Sequence, residues 1–280
     1  MLRVKHYLFT VLSVLFPCIL GIIAMIAQKI SVYIWAPNLL AIILLACAVG
    51  CAFKWKVVWN YKWVLVVCDF LILLPFLQKG IDNVHRWVRL GAISLNIAMV
   101  IMPIAIISID RLLQKGHRFV ALASIILISI TLLLQPDASQ LTGFTLGIIL
   151  CLVRCDLPQW MKALASGVLL LMSSLSWIFL DSLEPINYTE GILSILGNLS
   201  AILYIVGLAS VLFIPTPFLV FSANRYKMSA LAVVLYYWGI TLSALFGNFP
   251  VPVMGYGISP IIGYFAVTAL QMKEFGLLKE

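Results

Sequence analysis

A short run of polar residues with two arginines carries the strongest chemical signal in this chain. Arg86 and Arg89 flank Trp87, and the run lies between two apolar segments, 64–78 and 93–109. A basic run between two apolar segments predicts a loop at a membrane surface. The arginines are three residues apart, so a helical turn would place both on one side.

Guanidinium groups at such a surface suit phosphate or carboxylate, because their planar fork binds two oxygens at once. Trp87 between them suits an interfacial position. A structural salt bridge from an arginine to Asp82 or Asp137, with Trp87 as a membrane-belt residue, explains the same pattern. Asp137 follows a proline at the end of an apolar segment, where it is either solvated or holds Arg86 or Arg89 in place.

A second candidate group is the acidic stretch 181–190, which carries three carboxylates in ten residues. Two of them, Glu184 and Glu190, lie just before another apolar segment. Thr189 in a capping position and Glu190 in the first helical turn would explain these residues structurally. A carboxylate at a lipid–water boundary can instead have a raised pKa and act as a general base.

Two further features concern the elements around these residues. The segment 248–260 contains several prolines and glycines in an apolar stretch, which excludes regular helix. Bare backbone cannot face lipid, so this segment is predicted to bend around a cavity. Asp69 lies within an apolar span near Lys62, where it either reaches the cytoplasmic surface or pairs inside the protein.

Composition places the whole chain in a membrane. It is 64% hydrophobic and only 10% charged, whereas a soluble domain carries about 25% charged residues. The apolar runs are too long and continuous for a β-barrel. The prediction is an all-α, polytopic bundle forming a single integral membrane domain over residues 1–280. Its net charge of +8 reflects basic cytoplasmic loops rather than binding to nucleic acid.

Hydropathy predicts about ten spans, of which the sixth is short and preceded by a proline. If the N-terminus is inside, the outer segments hold only Lys29, Lys79, Arg86 and Arg89 of the 18 basic residues. This distribution follows the positive-inside rule and supports a sixth span that crosses the membrane, although its length also fits a re-entrant segment. The predicted spans are 7–27, 38–53, 64–78, 93–109, 119–135, 141–153, 163–180, 191–214, 229–247 and 258–272.

The ends and the cysteines add little chemistry. The N-terminus imitates a signal peptide, but its apolar run continues to about residue 27 without a cleavage site, which predicts a retained first span. The six cysteines form no CxxC pair and are expected to be buried apolar residues. Nothing indicates ATP use. No cofactor is implied with certainty, and a divalent cation is possible.

The polar loops resemble those of the SEDS family (shape, elongation, division and sporulation). The family's asparagine-glycine-x-x-arginine-tryptophan-isoleucine-x-leucine-glycine run is similar to residues 82–91, with Arg86 and Trp87 in place. Its leucine-glutamine-proline-aspartate run is similar to residues 134–137, and its threonine-aspartate pair to Thr189 and Glu190. A late proline-valine-x-glycine motif is similar to residues 252–255.

The resemblance implies a ten-span bacterial membrane protein that polymerises lipid II into glycan strands, in cell division or shape maintenance. Glu190 would be the catalytic base, Arg86 and Arg89 would bind pyrophosphate, and Asp137 would orient them. Trp87 and Glu184 would complete the substrate site. The implied partners are an undecaprenyl-pyrophosphate-linked substrate and a class B penicillin-binding protein, at the outer face of the cytoplasmic membrane with both termini inside.

A non-catalytic alternative remains open. The family has several tens of residues between the seventh and eighth spans, whereas this chain has the ten residues 181–190. That short loop favours a member that binds a lipid-linked precursor or a transpeptidase without polymerising anything. A transporter is a weaker reading, because the polar residues gather at one membrane face rather than at mid-bilayer.

Overall fold

The computed structural model describes residues 2–52, 59–91, 93–222 and 226–274. Within these ranges the chain forms twelve α-helices, one 3-10 turn and one two-stranded hairpin. In chain order the helices are α1 Leu2–Ala27, α2 Val32–Ala52, α3 Tyr61–Leu71, α4 Ile97–Gln114, α5 Arg118–Leu134, α6 Ala138–Arg154, α7 Gln159–Ile178, α8 Ile192–Leu199, α9 Ala201–Phe213, α10 Thr216–Val220, α11 Lys227–Phe246 and α12 Ser259–Glu274.

The predicted all-α membrane bundle is confirmed. Five of the described helices are long and apolar enough to cross a membrane, and three shorter apolar helices accompany them. Their outer surfaces are strongly apolar, as Phe119 and Ile202 illustrate, with 91% and 72% of their surfaces exposed. In α7 only 17% of the apolar stretch is buried. Such a surface requires lipid as its solvent.

Two predicted spans are broken helices. The third stops at Leu71 and continues as a 3-10 turn, Leu74–Leu77, with Pro75 inside it. The eighth is divided at Ser200, whose backbone is extended and whose side chain caps α9 by accepting from the N–H of Ile202 at 3.2 Å. Continuous apolar runs conceal such breaks, because hydropathy does not depend on backbone direction.

The start of the predicted fourth span is also different. Strands β1 Trp87–Leu90 and β2 Ile93–Asn96 form an antiparallel hairpin, and α4 begins only at Ile97. The expected helical turn across Arg86 and Arg89 is therefore wrong. In an extended chain, residues three apart point to opposite faces.

The short sixth span is a full helix, α6, at the centre of the bundle. Its Gly143 lies so close to α11 that an added Cβ would be 2.7 Å from the carbonyl oxygen of Tyr236. Small residues allow membrane helices to approach in this way. The helix begins at Ala138, three residues before the predicted span, and therefore includes Gln140. This fully buried side chain accepts from the hydroxyl of Tyr236 at 2.6 Å.

Polar contacts between loops gather at two opposite ends of the bundle. At the end here called the basic end, Arg154 is 3.5 Å from Asp110 and Arg118 is 2.5 Å from Asp156. The other end, here called the site end, holds the hairpin, the α5–α6 turn, and the loops before α8 and after α11. Helices α4 to α7 thus run alternately between the two ends, and the assignment of the basic residues to the inside stays a prediction. Lys54, Lys56, Arg225 and Lys279, which entered that count, lie outside the described ranges.

Asp69 pairs inside the bundle, which was one of its two predicted roles. It lies in the last part of α3, and its carboxylate accepts from the hydroxyl of Ser124 in α5 at 2.5 Å. The six cysteines are free thiols. Four of them are buried as expected, whereas Cys47 and Cys51 are exposed on α2, where the expected burial is wrong.

Candidate functional site

Arg86 is the buried centre of the site end, with 6% of its surface exposed. Its Nε donates to the carbonyl of Gln135 at 3.1 Å, and its Nη2 donates to the carbonyl of Pro136 and to the carboxylate of Asp181. Asp137 adds a second carboxylate, 3.8 Å from Nε. A buried cation is stable only when it is paired and hydrogen-bonded in this manner.

Aromatic rings cover the guanidinium group. Its central carbon lies 5.9 Å from the ring centroid of Trp87 and 5.8 Å from that of Phe249. These contacts hold the group in a fixed orientation. Among the described residues, no hydrogen bond is formed by its Nη1, so that edge is free for a ligand.

Asp137 is held by helix capping and by an amide. Its Oδ1 accepts from the backbone N–H of Gln140 and so caps α6, at 3.2 Å. Its Oδ2 accepts from the side-chain amide of Asn96, at 3.3 Å. Asn96 itself caps α4 through the N–H of Met99. Two helix ends therefore fix the carboxylate that faces Arg86.

Glu190 belongs to a tight turn before α8. Its Oε2 accepts from the backbone N–H of Ile186 at 2.7 Å, and its own N–H donates to the carbonyl of Ile186 at 2.9 Å. Burial raises the pKa of the Glu190 carboxyl above its usual value. The hydrogen bonds and the positive charge of Arg86 oppose that rise, and Asp181 adds to it.

The expected capping role of this segment is wrong. The helix α8 begins at Ile192 with Gly191 in the cap position, and within the described ranges no side chain forms a capping hydrogen bond there. Thr189 is buried, and its hydroxyl has no hydrogen-bond partner among the described residues. Glu190 therefore precedes the helix instead of forming its first turn.

Two cavities meet at Glu190. The first, about 360 Å³, is lined by five predicted site residues, Arg86, Trp87, Asp137, Glu184 and Glu190, and by Asp181. The second, about 750 Å³, is lined by both apolar and neutral polar side chains, and Glu190 is the one charged side chain among the described residues that line it. Those neutral polar side chains are Gln28, Asn187, Tyr188, Ser194, Asn198 and Asn248.

The loop after α11 closes the first cavity, as its prolines and glycines predicted. Its residues Pro250, Gly255 and Tyr256 line the cavity wall. A Cβ on Gly255 would lie 2.5 Å from the carbonyl oxygen of Thr189, so only glycine permits this approach.

Arg89 is the predicted site residue that the structure separates from the others. Its side chain is exposed and does not line the first cavity. The side chain of Gln78 holds its backbone, accepting from the N–H of Arg89 at 2.8 Å and donating to its carbonyl at 3.3 Å.

Sequence reasoning missed Asp181 as a site residue, although its position among the acids of the 181–190 loop was evident. Its partner could not be identified, because Arg86 lies 95 positions earlier in the chain. For a divalent cation, no group of three or more His, Cys, Asp and Glu side chains forms a metal site in the described ranges.

Comparisons with known proteins give one partial sequence match and a shared fold. No family model matches the chain. It is 27% identical over 139 residues to a probable peptidoglycan glycosyltransferase FtsW of Coxiella burnetii, covering 44% of this chain and 37% of that protein. The match thus spans little more than a third of the relative's length.

The fold is that of a rod shape determining protein. Crystal structures of Thermus thermophilus RodA and of a mutant of it superpose with TM-scores of 0.64 and 0.63, at 14% identity and with 97% of both chains covered. The chain thus shares the fold of RodA and part of its sequence with an FtsW, and the order of its loop motifs is similar to that of the SEDS family.

Proposed function

We propose that the chain polymerises lipid II into glycan strands for the bacterial cell wall, in division or shape maintenance. The observation that carries this proposal is the position of Glu190 on the wall shared by two different cavities. One cavity contains a buried arginine, and the other presents neutral amides and hydroxyls. Such a pair suits a diphosphate-bearing donor on one side of a base and a sugar hydroxyl on the other.

The proposed reaction uses the described residues as follows. Glu190 removes the proton of the acceptor hydroxyl, and that oxygen bonds to the anomeric carbon of the donor sugar. The bond from this carbon to the diphosphate breaks at the same time. The free Nη1 edge of Arg86 stabilises the charge that develops on the departing diphosphate.

Other residues complete the proposed substrate site. Trp87 and Glu184 line the donor cavity, and Asp137 and Asp181 hold Arg86 in place. We assign the site end to the outer face of the bacterial cytoplasmic membrane, with both termini inside and a class B penicillin-binding protein as partner. The wide apolar surface is consistent with a lipid-borne substrate that arrives through the bilayer.

Polymerisation of lipid II by the purified full chain in proteoliposomes tests the proposal. The protein is assayed by itself and together with a candidate class B penicillin-binding protein that makes no glycan strands of its own. Glycan strands longer than the starting disaccharide support a polymerase. Their absence under every pairing, with a correctly folded protein, contradicts it.

A non-catalytic binding protein is the second candidate, and the short 181–190 loop favours it. Under this alternative, the protein binds lipid II or its transpeptidase partner with normal affinity and forms no polymer. Measurement of lipid II binding beside the polymerisation assay therefore separates the two candidates.

Acid is expected to inactivate the polymerase at a higher pH than an ordinary glutamate would allow. Glu190 acts as a base only when it is ionised, and burial raises its pKa. Activity should therefore fall as the pH is lowered through this raised pKa. The measurement is the initial polymerisation rate across acidic pH, and an acid limb at or below the pKa of free glutamate, about 4.3, would contradict the assignment.

Replacement of Arg89 by alanine is expected to change the polymerisation rate by no more than about threefold. The residue is exposed and lies outside the donor cavity, so its removal leaves the arrangement around Arg86 intact. The measurement is the initial rate of the R89A protein beside wild type. A large loss would show that Arg89 reaches the substrate after all.

A further inference from the structure

Asn38 is an unusual residue for its position. It lies near the start of α2, a helix in which only 22% of the apolar stretch is buried, yet Asn38 itself has no exposed surface. A buried amide in a membrane helix is costly unless its hydrogen bonds are satisfied.

The nitrogen and the oxygen of the Asn38 amide both bond to one short segment of the loop between α11 and α12. Its Nδ2 donates to the carbonyl of Gly255 at 2.8 Å, and its Oδ1 accepts from the N–H of Gly257 at 3.2 Å. The segment lies more than 200 positions away in sequence. The side chain therefore clamps residues 255–257 to α2.

The clamped segment in turn holds the turn before α8. The N–H of Tyr256 donates to the carbonyl of Tyr188 at 3.1 Å, and the N–H of Val251 donates to that of Thr189 at 3.3 Å. Gly255 packs directly on Thr189, as described above. The rings of Tyr188 and Tyr256 also meet edge to face, 6.1 Å apart. Glu190 directly follows Thr189 in the chain, so these contacts end next to the proposed base.

We infer that Asn38 is a positioning residue for Glu190, acting through the 255–257 segment and the turn at 186–190. The inference rests on the proposed function for the role of Glu190 in catalysis. The mechanical link itself rests only on the contacts above. It connects a lipid-facing helix to the proposed base.

Hydrogen–deuterium exchange of the full chain in nanodiscs tests the link without any assay of activity. In Asn38→Leu, which keeps the branched side chain with its four heavy atoms and removes both hydrogen bonds, amides in 186–191 and 251–257 should exchange about tenfold faster. Peptides from α6 and α11 should be unchanged. The control is Ser129→Ala, because Ser129 is buried but bonds only within its own helix. Unchanged exchange at 186–191 in the leucine variant overturns the proposal.

Asn38→Asp provides a second test with a defined pH signature. A protonated carboxyl can donate to the carbonyl of Gly255 and accept from the N–H of Gly257, as the amide does. The ionised carboxylate can only accept, so its hydrogen bond to the carbonyl of Gly255 is lost and the two oxygens repel each other. Exchange should therefore be close to wild type at the same pH while the carboxyl is protonated, and should become faster as the pH rises through its pKa, which burial raises. Exchange that is already fast in acid and does not change up to alkaline pH contradicts the clamp.

Catalysis supplies a third readout. Asn38→Leu should lower kcat by about tenfold or more while KM changes little, because a misplaced base affects the chemical step. Its acid limb should shift to lower pH, since a loosened turn admits water to the carboxyl of Glu190 and reduces its desolvation. The charges that act on Glu190 are those of Arg86 and Asp181, and Asp137 and Glu184 line the same cavity. Altered exchange in a protein whose wild type makes no polymer would support the clamp and contradict the proposed function.

Discussion

Replacement of Glu190 by glutamine is expected to lower the rate of lipid II polymerisation by about 10²- to 10⁴-fold, which is the usual contribution of a general base. Glutamine keeps the shape of the side chain and can still accept from the N–H of Ile186. The turn before α8 should therefore persist, and lipid II should bind as in wild type. The measurement is the initial polymerisation rate together with the affinity for lipid II.

The matched control for this variant is Asp82→Asn. Asp82 is an exposed acid that lies in the turn preceding Arg86 and outside the donor cavity. Its backbone has a positive φ of 47°, which asparagine tolerates well. The control should polymerise as wild type does. If the E190Q protein also forms strands at the wild-type rate, Glu190 has no part in proton transfer.

Loss of the charge at Arg86 is expected to affect stability as well as activity. In Arg86→Gln, the buried Asp137 and the partly buried Asp181, with 4% and 12% of their side chains exposed, lose their cation. Removal of one partner from a buried ion pair costs about 3–5 kcal/mol. The variant should unfold at a lower temperature and should bind lipid II weakly.

A second substitution separates these two effects. Asp181→Asn added to the Arg86→Gln protein removes one of the uncompensated charges, so it should restore part of the lost thermal stability. Lipid II binding should remain weak, because the guanidinium fork is still absent. Full recovery of binding in this double variant would exclude Arg86 as the diphosphate ligand.

The pair Arg118–Asp156 offers the control for this experiment. It has a similar short distance, but 39% and 99% of the two side chains are exposed at the basic end. Exposed pairs contribute little to stability, because water solvates both charges when the pair breaks. Arg118→Gln should leave the unfolding temperature and polymerisation close to wild type. Measurement of thermal unfolding in detergent for all these variants compares them directly.

Hydropathy and basic residues were sufficient to predict the membrane bundle. Lipid offers no hydrogen bonds, so each backbone segment within it has to satisfy its own polar groups, and a long apolar run has few structures available. The predicted sixth span illustrates this, because its short run became the central helix α6. The same reasoning could not detect the break at Ser200, which depends on local capping rather than on hydropathy.

The site was predictable by residue type but not by arrangement. The sequence alone indicated Arg86, Trp87, Asp137 and Glu190 as polar residues on one face of the membrane, because polar groups in so apolar a chain are costly. Only the tertiary structure replaced the expected helical turn with a hairpin. That change separated Arg89 from Arg86, since an extended backbone reverses side-chain direction at each residue.

The packing of the helices alone decided which residues far apart in sequence contact each other. Asp181 meets Arg86, and Asn38 holds the 255–257 segment, only because helices from distant parts of the chain end at the same level. Side-chain hydrogen bonds form over about 3 Å, whereas sequence patterns predict the positions of spans to within a turn of helix, about 5 Å. The sequence by itself thus determined that this protein spans a membrane and which residues could react, and the tertiary structure decided which of them share a cavity.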